Sequence, residues 1–322
     1  MSKMEAAKGK RGKKAMTVVA IILGIIVCAN ALGFAVNKAL FSNELASVSP
    51  YGRMVEVNGR RMHVYSLGKG ERTIVLLPGF GVALPCADFG PLMRELSREY
   101  TVVCVEYFGL GFSDQTDAPR SNENYVEEIR AALARAGFKA PYILMPHSAS
   151  GVYSEFYAAR YPEEVSAIVM LDTSSTAIKA KGNPPKFLYG IARLQQACGL
   201  TRLNGLIIPP SQKAKNGYTE REIHDYRLFG FHVLNDTMID QSLRMLDNIN
   251  EVKGMPFPRD IPVLKLISSQ SEKRAGAEYQ AAHLARLGAK AESRIVDCSH
   301  FIYQTNVADI LEATEAFLRR RD

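Results

Sequence analysis

Ser148 and His300 are the two residues whose types and settings could together carry out a reaction. A serine hydroxyl is a poor nucleophile at neutral pH. It needs a base to take its proton, and the base needs a carboxylate that fixes its tautomer and stabilises the imidazolium. Ser148 lies in the turn Pro146-His147-Ser148-Ala149-Ser150, between an apolar run and a stretch with helical spacing. His300 follows the last predicted strand, 291–296, and so emerges at the same sheet edge as Ser148. The other histidines fit that role less well. His147 adjoins the nucleophile and reads as a structural hydrogen-bonder, His63 lies in an N-terminal strand, and His283 lies on a helix with a surface-like pattern. His224 and His232 fall in a helical insertion, where contact with substrate is the minority reading. Two carboxylates compete for the third position. Asp172 ends the strand that directly follows the Ser148 helix, whereas Glu272 follows a later strand among Ser271, Lys273 and Arg274. Adjacent parallel strands end at one edge of their sheet, which favours Asp172. Acyl transfer also needs two backbone N–H groups aimed where negative charge develops. By position these are Ala149, directly after the serine, and Phe80, after Pro78-Gly79.

The elements that must position these groups can be read from the apolar pattern. Residues 142–145 form a short buried strand, Gly151 opens a helix with Val152, Phe156 and Ala159 on one face, and Tyr161-Pro162 stops it. A second apolar run, 165–171, follows. A serine at such a strand-to-helix tip sits in a strained conformation, and the residues two before and two after it must be small. Ser150 meets that demand, while Pro146 departs from it, although proline suits the end of a strand. Upstream, 54–57 and 61–67 read as strands joined by the hairpin signal Asn58-Gly59. Strand 73–77, helix 88–99, strand 101–106 and helix 124–136 follow. That alternation predicts a doubly wound, mostly parallel sheet.

Strand, serine turn, helix and strand in this order resemble the nucleophile elbow of α/β-hydrolases. LLPGFG resembles the oxyanion loop of that superfamily, with Pro78 for its histidine. VEYFGLGFSD resembles its glycine-rich D-x-R-G-x-G-x-S-D loop, with Glu106 for the first aspartate, and DCSHF at 297–301 resembles its catalytic-histidine loop. The resemblance spans about 51–319, and more narrowly is to the membrane-anchored α/β-hydrolases of Gram-positive bacteria. It implies Ser148 as nucleophile and His300 as base. The superfamily's usual acid follows the strand at 263–267, where the register position here is Ser271 and Glu272 comes one residue late. Branches that carry the acid after the preceding strand match Asp172, with Glu272 as the alternative. The insertion 173–259 lies where the superfamily places a cap. It predicts helices at 187–198, 200–207, 219–229 and 236–252, with a capping box at Thr219 and Glu222.

Length and charge bound the remaining possibilities. A chain of 322 residues, 47% hydrophobic, forms one large domain or two small ones. Its net charge is +7, of which residues 1–14 supply +5 (six Lys and Arg against Glu5), leaving +2. That remainder gives no case for nucleic-acid binding, and neither zinc-type Cys/His spacing nor a phosphate-cradling glycine loop is present. Five cysteines imply no dense disulfide framework, and Cys104 reads as a small core residue. Residues 15–36 carry no charge, and as a helix they would span about 33 Å, enough for a bilayer core of about 30 Å. The basic head predicts a cytoplasmic N-terminus and an extracytoplasmic remainder. The rival is a cleaved signal peptide ending at Ala29-Asn30-Ala31. A lipoprotein site at Cys28 is opposed by the bulk of Val27.

The expected organisation is a basic head at 1–14, a transmembrane anchor at 15–36, a linker at 37–52, a hydrolase core at 53–172 and 260–322, and a cap at 173–259. The expected function is that of a single-pass membrane serine hydrolase cleaving a carboxylic ester by acyl transfer, needing no cofactor and no metal. Its partners would be a small-molecule or lipid-like ester and the bilayer, not nucleic acid. A peptidase or amidase of the same fold is the rival enzyme reading. From a different class, the altered elbow and displaced acid would also suit a non-catalytic binding protein on a hydrolase scaffold. The serine nucleophile argues against dehalogenase and epoxide-hydrolase chemistry, which attack with aspartate.

Overall fold

A computed structural model of the chain describes residues 3–177, 182–207 and 211–321. Expectations for residues 1–2, for cap residues 178–181 and 208–210 and for Asp322 lie outside the described residues, as do those for the side chains of the basic head up to Lys13. Among the described residues, eight strands form one sheet: β1 (Arg53–Val57), β2 (Arg60–Leu67), β3 (Thr73–Leu77), β4 (Thr101–Val105), β5 (Tyr142–Pro146), β6 (Val165–Leu171), β7 (Val263–Ser268) and β8 (Ala291–Val296). Their order is β1-β2-β4-β3-β5-β6-β7-β8. β2 is antiparallel to β1 and β4, and every later pair is parallel. The β1–β2 hairpin turns at Asn58 and Gly59, whose φ angles of 52° and 73° are both positive, as a type I′ turn requires.

Among the described residues, twelve α-helices accompany the sheet: α1 (Lys3–Phe41), α2 (Pro85–Asp88), α3 (Gly90–Leu96), α4 (Asn122–Arg135), α5 (Ser150–Arg160), α6 (Lys186–Ala197), α7 (Leu200–Ile207), α8 (Glu220–Gly230), α9 (Asp236–Gly254), α10 (Ser269–Ala275), α11 (Ala277–Leu287) and α12 (Val307–Arg319). Central strands are buried on both faces, so alternate residues enter different cores. Val75 and Leu77 of β3 pack with α4 and α5, while Ile74 and Leu76 pack with α3 and α12. The single helix expected at 88–99 is instead α2 and α3. Pro91 at the start of α3 has no N–H to continue the first helix, and the chain restarts there.

The cap helices α6 to α9 are inserted between β6 and β7. α8 carries the expected capping box, with Thr219 Oγ1 accepting from Glu222 N–H and Glu222 Oε2 from Thr219 N–H. Glu222 also pairs with Arg94 of α3, and Asp225 accepts from Tyr51 Oη at 3.0 Å, so this half of the cap is pinned to the core. At the other end, α1 is long and apolar enough to cross a bilayer, a property shared by anchors and signal sequences. Residues 37–41, expected as linker, continue α1, because this segment holds no proline or glycine to stop the helix.

Candidate active site

Ser148 stands between the last residue of β5 and the first turn of α5, with φ of +52°. That left-handed conformation is costly for a residue bearing a Cβ, and it lifts the hydroxyl clear of the sheet. The elbow is held from several sides. Ser148 N–H donates to Leu171 C=O of β6, His147 N–H to Leu77 C=O of β3, and Ser150 Oγ bonds both Pro78 C=O and Tyr107 Oη. The loop after β3 passes so close that a Cβ on Gly79 would lie 2.6 Å from His147 Nδ1 and 3.0 Å from Ser148 Cβ. Only glycine fits there.

His300 Nε2 lies 2.8 Å from Ser148 Oγ, and His300 Nδ1 lies 2.7 Å from Asp172 Oδ2. The serine oxygen, imidazole and carboxylate thus form one continuous chain, with the imidazole partly exposed and the carboxylate buried. Asp172 follows β6 with φ of +48°, and its N–H donates to Leu266 C=O of β7, which turns the carboxylate toward the end of that strand. There Oδ1 accepts from Ser268 N–H, and Oδ2 accepts from Ser268 Oγ and Ser271 Oγ. Burial alone would raise its pKa, but the hydrogen bonds from His300, Ser271 and Ser268 outweigh it and hold the carboxyl below the ordinary aspartate range. No hydrogen bond joins Glu272 to His300 among the described residues.

His147 turns away from the serine. Burial, and then the nearby His300, bring its pKa down to about 3, so the ring is neutral and its Nε2–H donates to His300 C=O at 3.1 Å. Gln270 Oε1 accepts His300 N–H at 3.1 Å, and the two bonds fix the histidine loop at both ends of one residue. Among the described residues, the backbone N–H groups of Phe80 and Ala149 meet no protein acceptor, which leaves both open to a ligand oxygen. Ala149 directly precedes α5, so its N–H belongs to the positive end of that helix. The Phe80 side chain is exposed rather than packed in the core.

The remaining candidates are elsewhere. His232 bonds Glu44 at 2.6 Å and His224 bonds Asp225 at 3.0 Å, and no bond links either one to Ser148 or His300 among the described residues. His283, expected on a surface-like helix, is fully buried: Nε2 contacts Glu155 at 2.8 Å and Nδ1 contacts Lys265 at 2.6 Å. Gln280 and His283 occupy the inward face of α11 beside Leu287, so polar residues mask the face that packs. Sequence reasoning had also missed Ser268 as a donor to Asp172. The available signal was the serine-rich run 268–271 where a carboxylate was expected, since hydroxyls there suit an acid arriving from the neighbouring strand.

One cluster has ligand-type atoms for a metal. His63, Cys86 and Glu106 lie within 4.8 Å of one another, all buried. Most of their polar atoms are already committed, because Glu106 accepts from the N–H groups of Cys86 and Phe112, and His63 Nε2 accepts from Gly52 N–H. That leaves the His63 proton on Nδ1, which lies 3.0 Å from Glu106 without forming a hydrogen bond. Burial, with Glu106 beside it, pushes the Cys86 thiol well above its usual range, which disfavours the thiolate a metal would need. The donor set therefore suits a structural network.

A family model described as alpha/beta hydrolase fold matches residues 72–307. The uncharacterized protein YbdG of Bacillus subtilis is 28% identical over 313 residues, covering 93% of this chain and 90% of the relative. Serine hydrolase BPHL of Mus musculus is 27% identical over 165 residues, covering 45% of this chain and 56% of the relative. Among solved structures, Cfl2 from Burkholderia cenocepacia is similar with a TM-score of 0.65 at 18% identity, over 82% of this chain and 95% of its own.

Proposed function

The chain belongs to the α/β-hydrolase family, and from the geometry around Ser148 we propose that it is a membrane-tethered serine hydrolase that cleaves a carboxylic ester. The observation that carries the proposal is the unbroken relay from Ser148 Oγ through the His300 ring to Asp172, at 2.8 and 2.7 Å. Ser148 Oγ attacks the acyl carbon as His300 Nε2 takes its proton, and Asp172 stabilises the imidazolium. The oxyanion of the tetrahedral intermediate accepts from Phe80 and Ala149 N–H, each such donor being worth about 2.7–4 kcal/mol. Collapse expels the alkoxide, which leaves as the alcohol with the proton from His300. Water, deprotonated by the same imidazole, then frees the acid and restores Ser148. The lowered pKa of Asp172 supports this reading, because the carboxylate stays ionised where an imidazolium must form.

The apolar α1 and the basic residues before it support an anchor with the N-terminus in the cytoplasm and the catalytic domain outside. One experiment tests both claims. Intact cells and lysates are treated with a charged, membrane-impermeant fluorophosphonate and with a permeant one, using Ser148→Ala as the control. The expected result is Ser148-dependent labelling by both probes on intact cells, with turnover of a p-nitrophenyl ester lost in the variant. Labelling of intact cells by the permeant probe alone would reverse the orientation. No labelling of folded protein in lysate would overturn the catalytic reading.

A further inference from the structure

The four cap helices differ in what covers them. α8 and α9 bury residues against the core, whereas α6 and α7 bury none. Both are amphipathic all the same. In α6, Phe187, Leu188, Ile191 and Leu194 follow i, i+1, i+4, i+7 spacing and are 44–66% exposed. In α7, Leu200, Leu203, Leu206 and Ile207 form a second stripe, 37–80% exposed. The opposite face of α6 carries the bonds to the rest of the cap: Tyr189 to Ser242, Arg193 to Asp236, and Gln196 to Leu234. The apolar stripe of α6 is therefore the face turned away from the protein, and the stripe of α7 is exposed along its length beside α1.

The corner between α6 and α7 is fixed to α1. Asn37 Nδ2 donates to Ala197 C=O at 3.1 Å, and Arg202 bonds both Asn37 Oδ1 and Glu44 while stacking on Phe41 at 4.2 Å. Gly33 packs so tightly that a Cβ there would lie 2.5 Å from Cys198 C=O. A cleft of about 580 Å³ between the end of α1 and helices α7 and α8, lined by Val36, Phe41, Leu203 and Phe231 among others, joins the two apolar surfaces. Ala15 and Gly33 are 18 helical steps apart, or about 27 Å, against a hydrocarbon core of about 30 Å. An α1 that crosses a bilayer thus holds the α6–α7 corner at the outer boundary of the hydrocarbon. Amphipathic helices that lie in a membrane plane sit at that depth.

We infer that α6 and α7 are seated in the outer leaflet of the bilayer that α1 crosses, their apolar stripes covered by phospholipid. The inference rests on the anchor reading of α1. Its occupant is set by continuity with α1, since the stripes flank the contact at Gly33 and Asn37, where α1 still exposes Phe34, Val36 and Leu40.

The chain contains no tryptophan, so a single introduced indole reports alone. Full-length Phe187→Trp, Leu203→Trp, Leu23→Trp and Lys139→Trp proteins are reconstituted into phosphatidylcholine/phosphatidylglycerol vesicles with or without brominated acyl chains. Leu23 lies within α1, and the exposed Lys139 precedes β5 at the sheet end opposite the cap. Bromine is expected to quench emission about twofold at positions 187, 203 and 23 and to leave position 139 unchanged. Quenching at 23 without quenching at 187 and 203 overturns the seating of the cap while the anchor stands. Absence of quenching at 23 overturns the anchor and the inference with it. Blue-shifted emission at 187 that bromine does not quench assigns the face to a second copy of the chain or another protein, and also overturns it.

Discussion

Asp172 and Asp88 are both buried aspartates ringed by hydrogen-bond donors, yet their acidities move in opposite directions. Asp172 accepts from Ser268 N–H, the two hydroxyls of Ser268 and Ser271, and His300, and its pKa is lowered. Asp88 accepts from Gln212, Gln304 and Tyr303, and burial nevertheless pushes it up to about 6. Asp88 is wholly buried and has three side-chain donors, whereas Asp172 keeps a little exposure and has four donors, one of them the Ser268 backbone N–H. Hydrogen bonds to the charged form outweigh burial only where the shell is this complete. Asp88 has a different task. It ties the cap, through Gln212 Nε2 and Tyr218 (whose hydroxyl reaches its backbone carbonyl), to the segment just after His300.

The largest expected effect comes from removing the charge of Asp172. Asp172→Asn should lower kcat by about 10⁴, the scale of loss when a triad aspartate is neutralised and the histidine takes the wrong tautomer. Glu272→Gln should change kcat little, because no bond joins it to His300 among the described residues. Steady-state ester hydrolysis by both variants, each shown to be folded by circular dichroism, ranks the two. The reverse ranking would move the acid to the end of β7.

The strands and the serine turn were legible because each is a local pattern: apolar runs bounded by turn residues, and a short polar tip between strand and helix. Asp172 was legible one step further, since β5 and β6 being parallel neighbours follows from the strand–helix–strand order. Its serine donors were not. They depend on β6 lying against β7, where Leu171 aligns with Leu266 although a cap separates them in sequence. Asp88 was less legible still, because its partners lie at 212, 303 and 304 and no local spacing joins them. His283 was misread because periodicity registers apolar residues, and the inward face of α11 is partly polar.

The next effect is on stability. For an aspartate whose folded-state pKa is raised from about 3.8 to about 6, the folded protein binds more protons across that window. Stability from Asp88 is therefore fully present below the unfolded value and lost as pH rises through about 6, by up to about 3 kcal/mol at about 1.4 kcal/mol per unit. Asp88→Asn removes the titration and keeps an acceptor for Gln212 and Gln304. Urea unfolding at pH 4.5 and 7 should show the variant gaining on the wild type as pH rises. A difference independent of pH would show that Asp88 is not the group that titrates.

The smallest expected effect, and the finest test of the contrast, is Ser271→Ala. Ser271 Oγ shares Asp172 Oδ2 with Ser268 Oγ and His300, so the variant keeps the charged partner and loses one neutral donor. A hydrogen bond to a charged group contributes about 1.5–3 kcal/mol, but the remaining donors take up part of the loss. We expect kcat to fall about tenfold, or about 1.4 kcal/mol in the barrier, far less than for Asp172→Asn. Acid stability should move with it. A depressed folded-state pKa stabilises fully above the unfolded value of about 3.9, and that stability is lost as pH falls through the folded value. Losing a donor raises the folded value, so the variant should begin to unfold at a higher pH than the wild type, followed by tyrosine fluorescence during acid titration. If kcat and the acid midpoint both stay where they were, Ser268 and His300 suffice to hold Asp172 ionised. Asp172 and Asp88 would then differ through the Ser268 and His300 donors and not through Ser271.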